Sequence, residues 1–267
     1  MTSDFKNILY EKDDRNVVTI TLNRPQIHNA MSEAMKYEIM DALRKVRDDK
    51  DARILIFKGA GKSFCSGRDM NEVAEMGQPL VYFLDQLSVM MFNLMAEIRI
   101  PIIVAAKGWT LGVSMTMCVI SDIVVASDDT KFGYPEIVWD WLGPSVRMYK
   151  MGVPLHVVKE IAWTADPFDA YKAERIGLAN KVVPREKLDE EVDILVKKLL
   201  KIHPNSLILS KIAVEAAVSI PNREAAAAFE RAVYSIQLTE RPVEEVGVKR
   251  FRDKKERAYV DGVRKIE

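Results

Sequence analysis

Apolar and polar positions alternate from Val18 through the β-branched run Val17–Leu22 (VVTITL), which predicts a strand that Arg24-Pro25 then breaks. The apolar period next lengthens to that of a helix. Met35, Ile39, Met40, Leu43 and Val46 share one helical face, and Ser32 is placed to cap a helix running to about Asp49. Arg53–Phe57 (RILIF) reads as a short buried strand, and Gly59–Asp69 as a glycine-punctuated loop. A helix over Asp85–Ile98 follows, then a strand over Ile102–Ala106 after Pro101. Leu111–Ile120 reads as a helix opening at a glycine, and Ile123–Ala126 as the strand after it. Strand and helix alternate, which predicts an α/β core with parallel pairing.

After Pro135 the pattern changes, and from Pro144 onward most segments look helical. In Lys187–Leu200 the residues Leu188, Val192, Leu195, Val196 and Leu199 lie on one face, and Arg223–Leu238 is alanine-rich and helical. The expected organisation is an α/β core over residues 1–200 and a helical region over 201–267, packed on the core or on a neighbouring subunit. No repeat and no Gly/Ser-rich linker divides the chain.

Composition narrows the class. The chain has 267 residues, 48% hydrophobic and 29% charged, which suits a folded domain and excludes collagen, coiled coil and disorder. Lysine plus arginine and aspartate plus glutamate each total 39, so there is no surplus of positive charge for nucleic acid or an anionic membrane. The basic stretch Lys36–Lys50 carries Glu38, Asp41, Asp48 and Asp49 among its cations and reads as a solvated helix face. Two cysteines, Cys65 and Cys118, read as free thiols of a reducing compartment. His28, His156 and His203 are scattered without metal-ligand spacing. The N-terminus has no apolar signal core, and the apolar stretch Trp109–Ala126 contains Gly112, Ser121 and Asp122, so burial in the protein is expected rather than a membrane span. A cytoplasmic protein is expected, with no metal or redox cofactor.

Three segments place glycines where a backbone approaches something closely: SFCSGRD (Ser63–Asp69), KGWTLGVSM (Lys107–Met115) and FGYPEI (Phe132–Ile137). In the second, a strand ends at Ala106, the chain turns at Gly108, and a helix begins near Gly112. N–H groups at a helix start lack intrahelical partners and suit a developing oxyanion. If the Ser66–Asp69 turn lies beside this helix start, each gives one N–H to a two-donor oxyanion hole; alternatively the glycines only permit tight turns. Gly112-Val113-Ser114 is half of a nucleophile elbow, but position 116 is threonine, so Ser114 reads as a small residue at a turn.

Together these segments resemble the crotonase superfamily, the enoyl-CoA hydratases and isomerases. The resemblance is carried by ITLNRPQIHNAMS (Ile20–Ser32), GAGKSFCSGRDMNE (Gly59–Glu72) and IPIIVAAKGWTLG (Ile100–Gly112). It continues through SDIVVASDDTKFGYPEI (Ser121–Ile137), AERIGLANKVVP (Ala173–Pro184) and VGVKRFRDKKERAYVDG (Val246–Gly262). It implies a ββα spiral core followed by helices that build homotrimers, often paired. It implies an oxyanion hole from the N–H groups of Arg68 and Val113, which follow Gly67 and Gly112. The Ser66 carbonyl matches the adenine contact, and Phe251 and Lys254 match C-terminal coenzyme A contacts. Lys62 is a candidate phosphate contact or a solvated lysine. Coenzyme A enters as part of an acyl-CoA thioester substrate.

One position departs from the family pattern. A typical hydratase has two glutamates; one is present as Glu136, and the other position, four residues beyond Gly112, is Thr116. Hydration uses a carboxylate for the water and a second group for the α-proton, whereas a double-bond shift needs one base. Glu136 is thus expected to be the principal acid/base, and Δ3-Δ2 isomerisation of an unsaturated acyl-CoA is favoured over hydration. A hydratase or hydratase-lyase acting on a cyclic or aromatic acyl group is the runner-up, and a non-catalytic acyl-CoA or RNA binder the rival. Asp140, four residues after Glu136, shares its face if the stretch forms a helical turn; it is then a substitute acid, or else a solvated aspartate. Trp139 and Trp141 either narrow an acyl pocket or serve as core material.

Overall fold

The structure is a computed structural model and describes residues 5–75 and 78–240. Its contacts divide the chain into two compact units, Met1–Pro204 and Asn205–Glu267.

The first unit is organised by a six-stranded sheet in the order β1-β2-β3-β4-β6-β9. An antiparallel edge pair, β1 (Ile8–Lys12) and β2 (Val17–Leu22), sets Ile8 opposite Leu22. From β2 onward all pairing is parallel, through β3 (Ile54–Gly59), β4 (Ile102–Ala106), β6 (Ile123–Ser127) and β9 (Lys181–Val183). A smaller sheet holds β5 (Trp109–Leu111), β7 (Lys131–Gly133) and β8 (Phe168–Asp169), with β5 and β7 parallel and β8 antiparallel to β7. Isolated parallel bridges join Met31 to Arg68 and Cys65 to Thr110, which extends this second layer beyond its named strands.

The chain therefore winds as a spiral. Each turn lays one strand in the large sheet, one short extended segment in the small layer, and then a helix. The first runs β2, Met31, α1 (Glu33–Asp48); the second runs β3, Cys65–Arg68, then α2 (Met70–Glu75) and α3 (Gln78–Glu97); the third runs β4, β5, α4 (Val113–Ile120). The fourth takes β6 and β7 into a 3-10 turn, Pro135–Trp139, and α5 (Val146–Lys150). Every return to the large sheet crosses over through a helix, as parallel neighbours require.

Burial explains which elements form. The Ser32 hydroxyl accepts the Met35 N–H at 3.1 Å and caps α1, whose Met35, Ile39, Met40, Leu43 and Val46 are all buried, as the periodicity predicts. Alternate residues of the large sheet enter two cores. Val18, Ile20, Leu55, Phe57, Ile102 and Val104 join the main core with α1, α3 and α4. Val17, Ile54, Ile56, Ile103, Ala105 and Val125 face the other way, against Leu188, Val192 and Val196 of α8 (Leu188–Leu200). Both faces are covered, so β3 and β4 read as continuous apolar runs.

Several boundaries differ from the sequence reading. Trp109–Leu111 is a strand rather than the start of a helix, because it pairs with β7 before Gly112 opens α4. Helix α3 starts at Gln78, earlier than Asp85. The first unit continues beyond β7 with α6 (Leu155–Thr164), β8, α7 (Ala170–Arg175) and β9, so strands persist in the part expected to be mostly helical. Helix α9 (Pro204–Ser219) starts at the boundary of the second unit and intersperses its apolar residues with Ser206, Ser210, Lys211 and Glu215, and α10 (Arg223–Glu240) begins where the alanine-rich run begins. Among the described residues no helix is long and apolar enough to cross a membrane.

Candidate active site

The spiral stacks the glycine-bearing segments as neighbours in the small layer. Phe64 and Cys65 donate their N–H groups to the carbonyls of Lys107 (2.6 Å) and Trp109 (2.9 Å), and Leu111 N–H returns to the Cys65 carbonyl at 3.1 Å. The Ser114 hydroxyl closes the corner on the Cys65 and Leu111 carbonyls, both at 2.8 Å. On the next step, Gly112 N–H donates to the Gly133 carbonyl at 2.9 Å and ties the second segment to the third.

Two polar pins hold the outer side of this layer. Asn29 is fully buried in a left-handed conformation (φ 56°). Its Nδ2 donates to the carbonyls of Ala60 (2.9 Å), Ser63 (2.9 Å) and Phe64 (3.1 Å), while its Oδ1 accepts the Arg24 N–H at 2.8 Å. Arg24 also reaches the carboxylate of Asp69, which is almost buried, at 2.8 Å and the Ala30 carbonyl at 2.8 Å. Sequence reasoning singled out neither residue; the Arg-Pro and Asn-Ala pairs in Ile20–Ser32 were the available signal.

Gly67 and Gly112 have φ of 102° and 54°, where a side chain is strained. They lie against each other: a Cβ on Gly112 would stand 3.9 Å from the Gly67 Cα. Met31 N–H donates to the Gly67 carbonyl (2.8 Å), and its carbonyl accepts the Asp69 N–H (3.0 Å). By β-pairing geometry the Arg68 N–H points to the opposite edge, the side of Leu111 and Gly112. Val113 is the first residue of α4, so its N–H leaves the helix start without an intrahelical acceptor. Both amides follow a positive-φ glycine, one at the first residue of α4 and one two residues before α2, on consecutive turns of the spiral.

Glu136 stands beside them. Its Oε1 is 2.7 Å from where a Gly112 Cβ would be, and its Oε2, itself buried, is 3.3 Å from the same position at Gly143. Pro135 starts the 3-10 turn that carries it. The third motif thereby sets a carboxylate against the glycine of the second. Beneath it, buried Thr116 donates its hydroxyl to the Gly112 carbonyl at 3.3 Å and lies 3.2 Å from the Tyr134 hydroxyl. Burial, and after it the Glu136 charge, push the Tyr134 phenol above its ordinary pKa, so it remains protonated. Tyr134 was missed from sequence, being separated from Thr116 along the chain.

Residues 12–262 match the family model for enoyl-CoA hydratase/isomerase. The chain belongs to that family, within the crotonase superfamily. It is 32% identical to the crotonyl-CoA hydratase of Syntrophomonas wolfei over 213 residues, covering 78% of this chain and 81% of that one. It is 29% identical to the short-chain-enoyl-CoA hydratase of Clostridium acetobutylicum over 215 residues, 79% of this chain and 82% of that one. The crystal structure of an enoyl-CoA hydratase from Mycobacterium smegmatis superposes with a TM-score of 0.87 at 26% identity, covering 93% of this chain and 97% of that one. The spiral described above is thus the crotonase-superfamily fold.

The α-helical turn that would set Asp140 on the face of Glu136 is not formed. Pro135–Trp139 is a 3-10 helix, in which a residue four positions on is rotated by roughly 120°. Asp140 ends that turn in a left-handed conformation (φ 58°), gives its N–H to the Glu136 and Ile137 carbonyls, and is exposed. The shared helical face on which the substitute-acid alternative depended is therefore not formed. Trp139 is 55% exposed, whereas Trp141 packs against the main core, with the Arg68 guanidinium over its ring at 5.7 Å. Ser66 gives its N–H to the His28 carbonyl at 3.0 Å. Lys62 lines a cavity of about 480 Å³ with His28, Ser63, Trp109, Lys131 and Arg185. Phe251 and Lys254 lie outside the described residues.

Neither cysteine is a candidate nucleophile. Both are buried, and burial raises the Cys65 thiol to about 11 and the Cys118 thiol further.

Proposed function

We propose that this protein performs enolate chemistry on an unsaturated acyl-CoA, with Glu136 as its acid/base and Δ3-Δ2 isomerisation as the favoured reaction. The observation that carries the reading is the placement of the Glu136 carboxylate against Gly112, beside the amides of Arg68 and Val113. In this reading the thioester oxygen accepts both amide N–H groups. Glu136 removes a proton from C2 of a 3-enoyl thioester, and the C–H electrons pass into the C1–C2 bond as the oxygen takes up charge. The same carboxyl returns the proton at C4, and the double bond comes to rest between C2 and C3. Charge on oxygen is stabilised only where donors are already aimed at it, which is why hole and base belong together. Coenzyme A is held by the Ser66 carbonyl, by Lys62 and, from the C-terminal segment, by Phe251 and Lys254. Helices α9 and α10 are assigned to contacts in a homotrimer or a pair of trimers.

Hydration is the second reading, favoured by the hydratase names of the relatives. Mass-resolved product analysis in D2O, with 3-enoyl-CoA and 2-enoyl-CoA supplied separately, tests the choice. A double-bond shift without added water is the expected result; addition of water overturns the isomerase assignment. The Glu136→Gln variant is expected to lose turnover by roughly 10²–10⁴-fold while still binding CoA. Unchanged turnover in that variant overturns the mechanism.

A further inference from the structure

The amide that presents the Val113 N–H is the peptide joining Gly112 to Val113. Its other end is the Gly112 carbonyl, and that carbonyl carries two hydrogen bonds, from the Thr116 N–H at 3.0 Å and the Thr116 hydroxyl at 3.3 Å. A threonine hydroxyl has one proton. With that proton given to a carbonyl, which can only accept, the 3.2 Å contact to Tyr134 runs the other way: the phenol donates to Thr116. A directed chain results, Tyr134 O–H to Thr116 O–H to Gly112 C=O, and every member before the carbonyl is buried. Its start lies two residues from Glu136, and both residues border Gly143: a Cβ there would meet Tyr134 Cβ at 3.4 Å and Glu136 Oε2 at 3.3 Å.

The peptide bond is a resonance hybrid, so hydrogen bonds received at its oxygen increase the positive charge at its N–H. Chains of hydrogen bonds strengthen one another in this way, and low local dielectric enlarges the effect. We propose that Thr116 and Tyr134 are positioning residues for the oxyanion: they polarise the Gly112–Val113 peptide and sharpen the N–H that receives the thioester oxygen. The position at which a hydratase-like second carboxylate is lacking thereby has a task of its own. At the other amide of the hole, the Gly67 carbonyl accepts Met31 N–H at 2.8 Å and the Cys65 thiol at 3.5 Å, a main-chain donor and a thiol in place of the hydroxyl pair. Thr116 and Tyr134 touch no reacting atom in this scheme and act through the peptide.

The proposal rests on the oxyanion-hole reading above, and the experiment separates the two. Isotope-edited infrared spectra of butanoyl-CoA labelled with 13C at the thioester carbonyl are recorded bound to the wild-type protein and to Thr116→Val, Thr116→Ser and Tyr134→Phe. A wild-type carbonyl band at its solution position overturns the hole itself. A band shifted to lower frequency in wild type, less shifted in Thr116→Val and Tyr134→Phe, and restored in Thr116→Ser is the expected result. In turnover with an enoyl-CoA, Thr116→Val is expected to lower kcat by about 10-fold and Tyr134→Phe by about 3-fold at unchanged KM, a fraction of the loss on deleting a donor. A wild-type shift reproduced in full by both hydroxyl-deleted variants overturns the proposal and leaves the hole standing. Tyr134→Phe keeps the buried ring, so it serves as the independent variant if Thr116→Val does not fold.

Discussion

The two walls of the candidate site are built on different principles. The wall carrying Gly67 and Gly112 is main chain, laced to neighbouring segments by hydrogen bonds on each side and continuous with the small sheet. The wall carrying Glu136 is one 3-10 turn and the loop after it, where Val138 and Trp139 of the turn and Leu142 of the loop are 68%, 55% and 90% exposed. The first fixes donors to within the tolerance of a β-ladder. The second supplies a side chain and an apolar margin that little else in the chain constrains. In the proposed reading the first wall holds the thioester oxygen and the second carries the base.

The sharpest way to break this contrast is a methyl group on the first wall. Gly112→Ala places a Cβ 2.7 Å from Glu136 Oε1, at a backbone conformation (φ 54°, ψ −118°) that alanine resists. Steady-state kinetics with an enoyl-CoA are expected to show a loss of about 10²–10³-fold, the scale of a lost oxyanion donor. A loss below tenfold would place the chemistry elsewhere. Next comes the pin behind that wall. Asn29→Ala strips the side-chain donor from three carbonyls, and urea unfolding is expected to show destabilisation of about 2–4 kcal/mol. The smallest effect is expected on the second wall: Asp140→Asn should change kcat by less than about twofold, as for an exposed residue outside the reacting groups.

How much of this was legible in sequence depended on element length and on separation along the chain. Strands β2, β3, β4 and β6 announced themselves because they are buried over five or six residues. Strands of two or three residues, such as β5, β7, β8 and β9, are too short to show alternation, and they form because the spiral brings partners to them. The first strand, ILYEK, is mostly solvent-facing and hid its pairing among polar residues. Gly67, Gly112 and Glu136 were nameable from the family resemblance, while their approach to one another is a product of stacking successive turns. The face of Asp140 was left open because spacing by four residues implies a shared face only in an α-helix, and a proline-led 3-10 turn has another period. The tie between Thr116 and Tyr134 joins a helix to a loop and leaves no trace in local pattern.

The main-chain origin of the Arg68 and Val113 donors also bears on how such a protein diverges. Any codon change at 68 or 113 except to proline exchanges a side chain and leaves the amide in place. Position 68 can hold an arginine stacked on Trp141 at no cost to the donor it presents. Positions 67 and 112, by contrast, are locked by conformation. A lineage drifting through sequence space is thus free to exchange the side chains at 68 and 113 while the two amides proposed to hold the oxyanion stay in place.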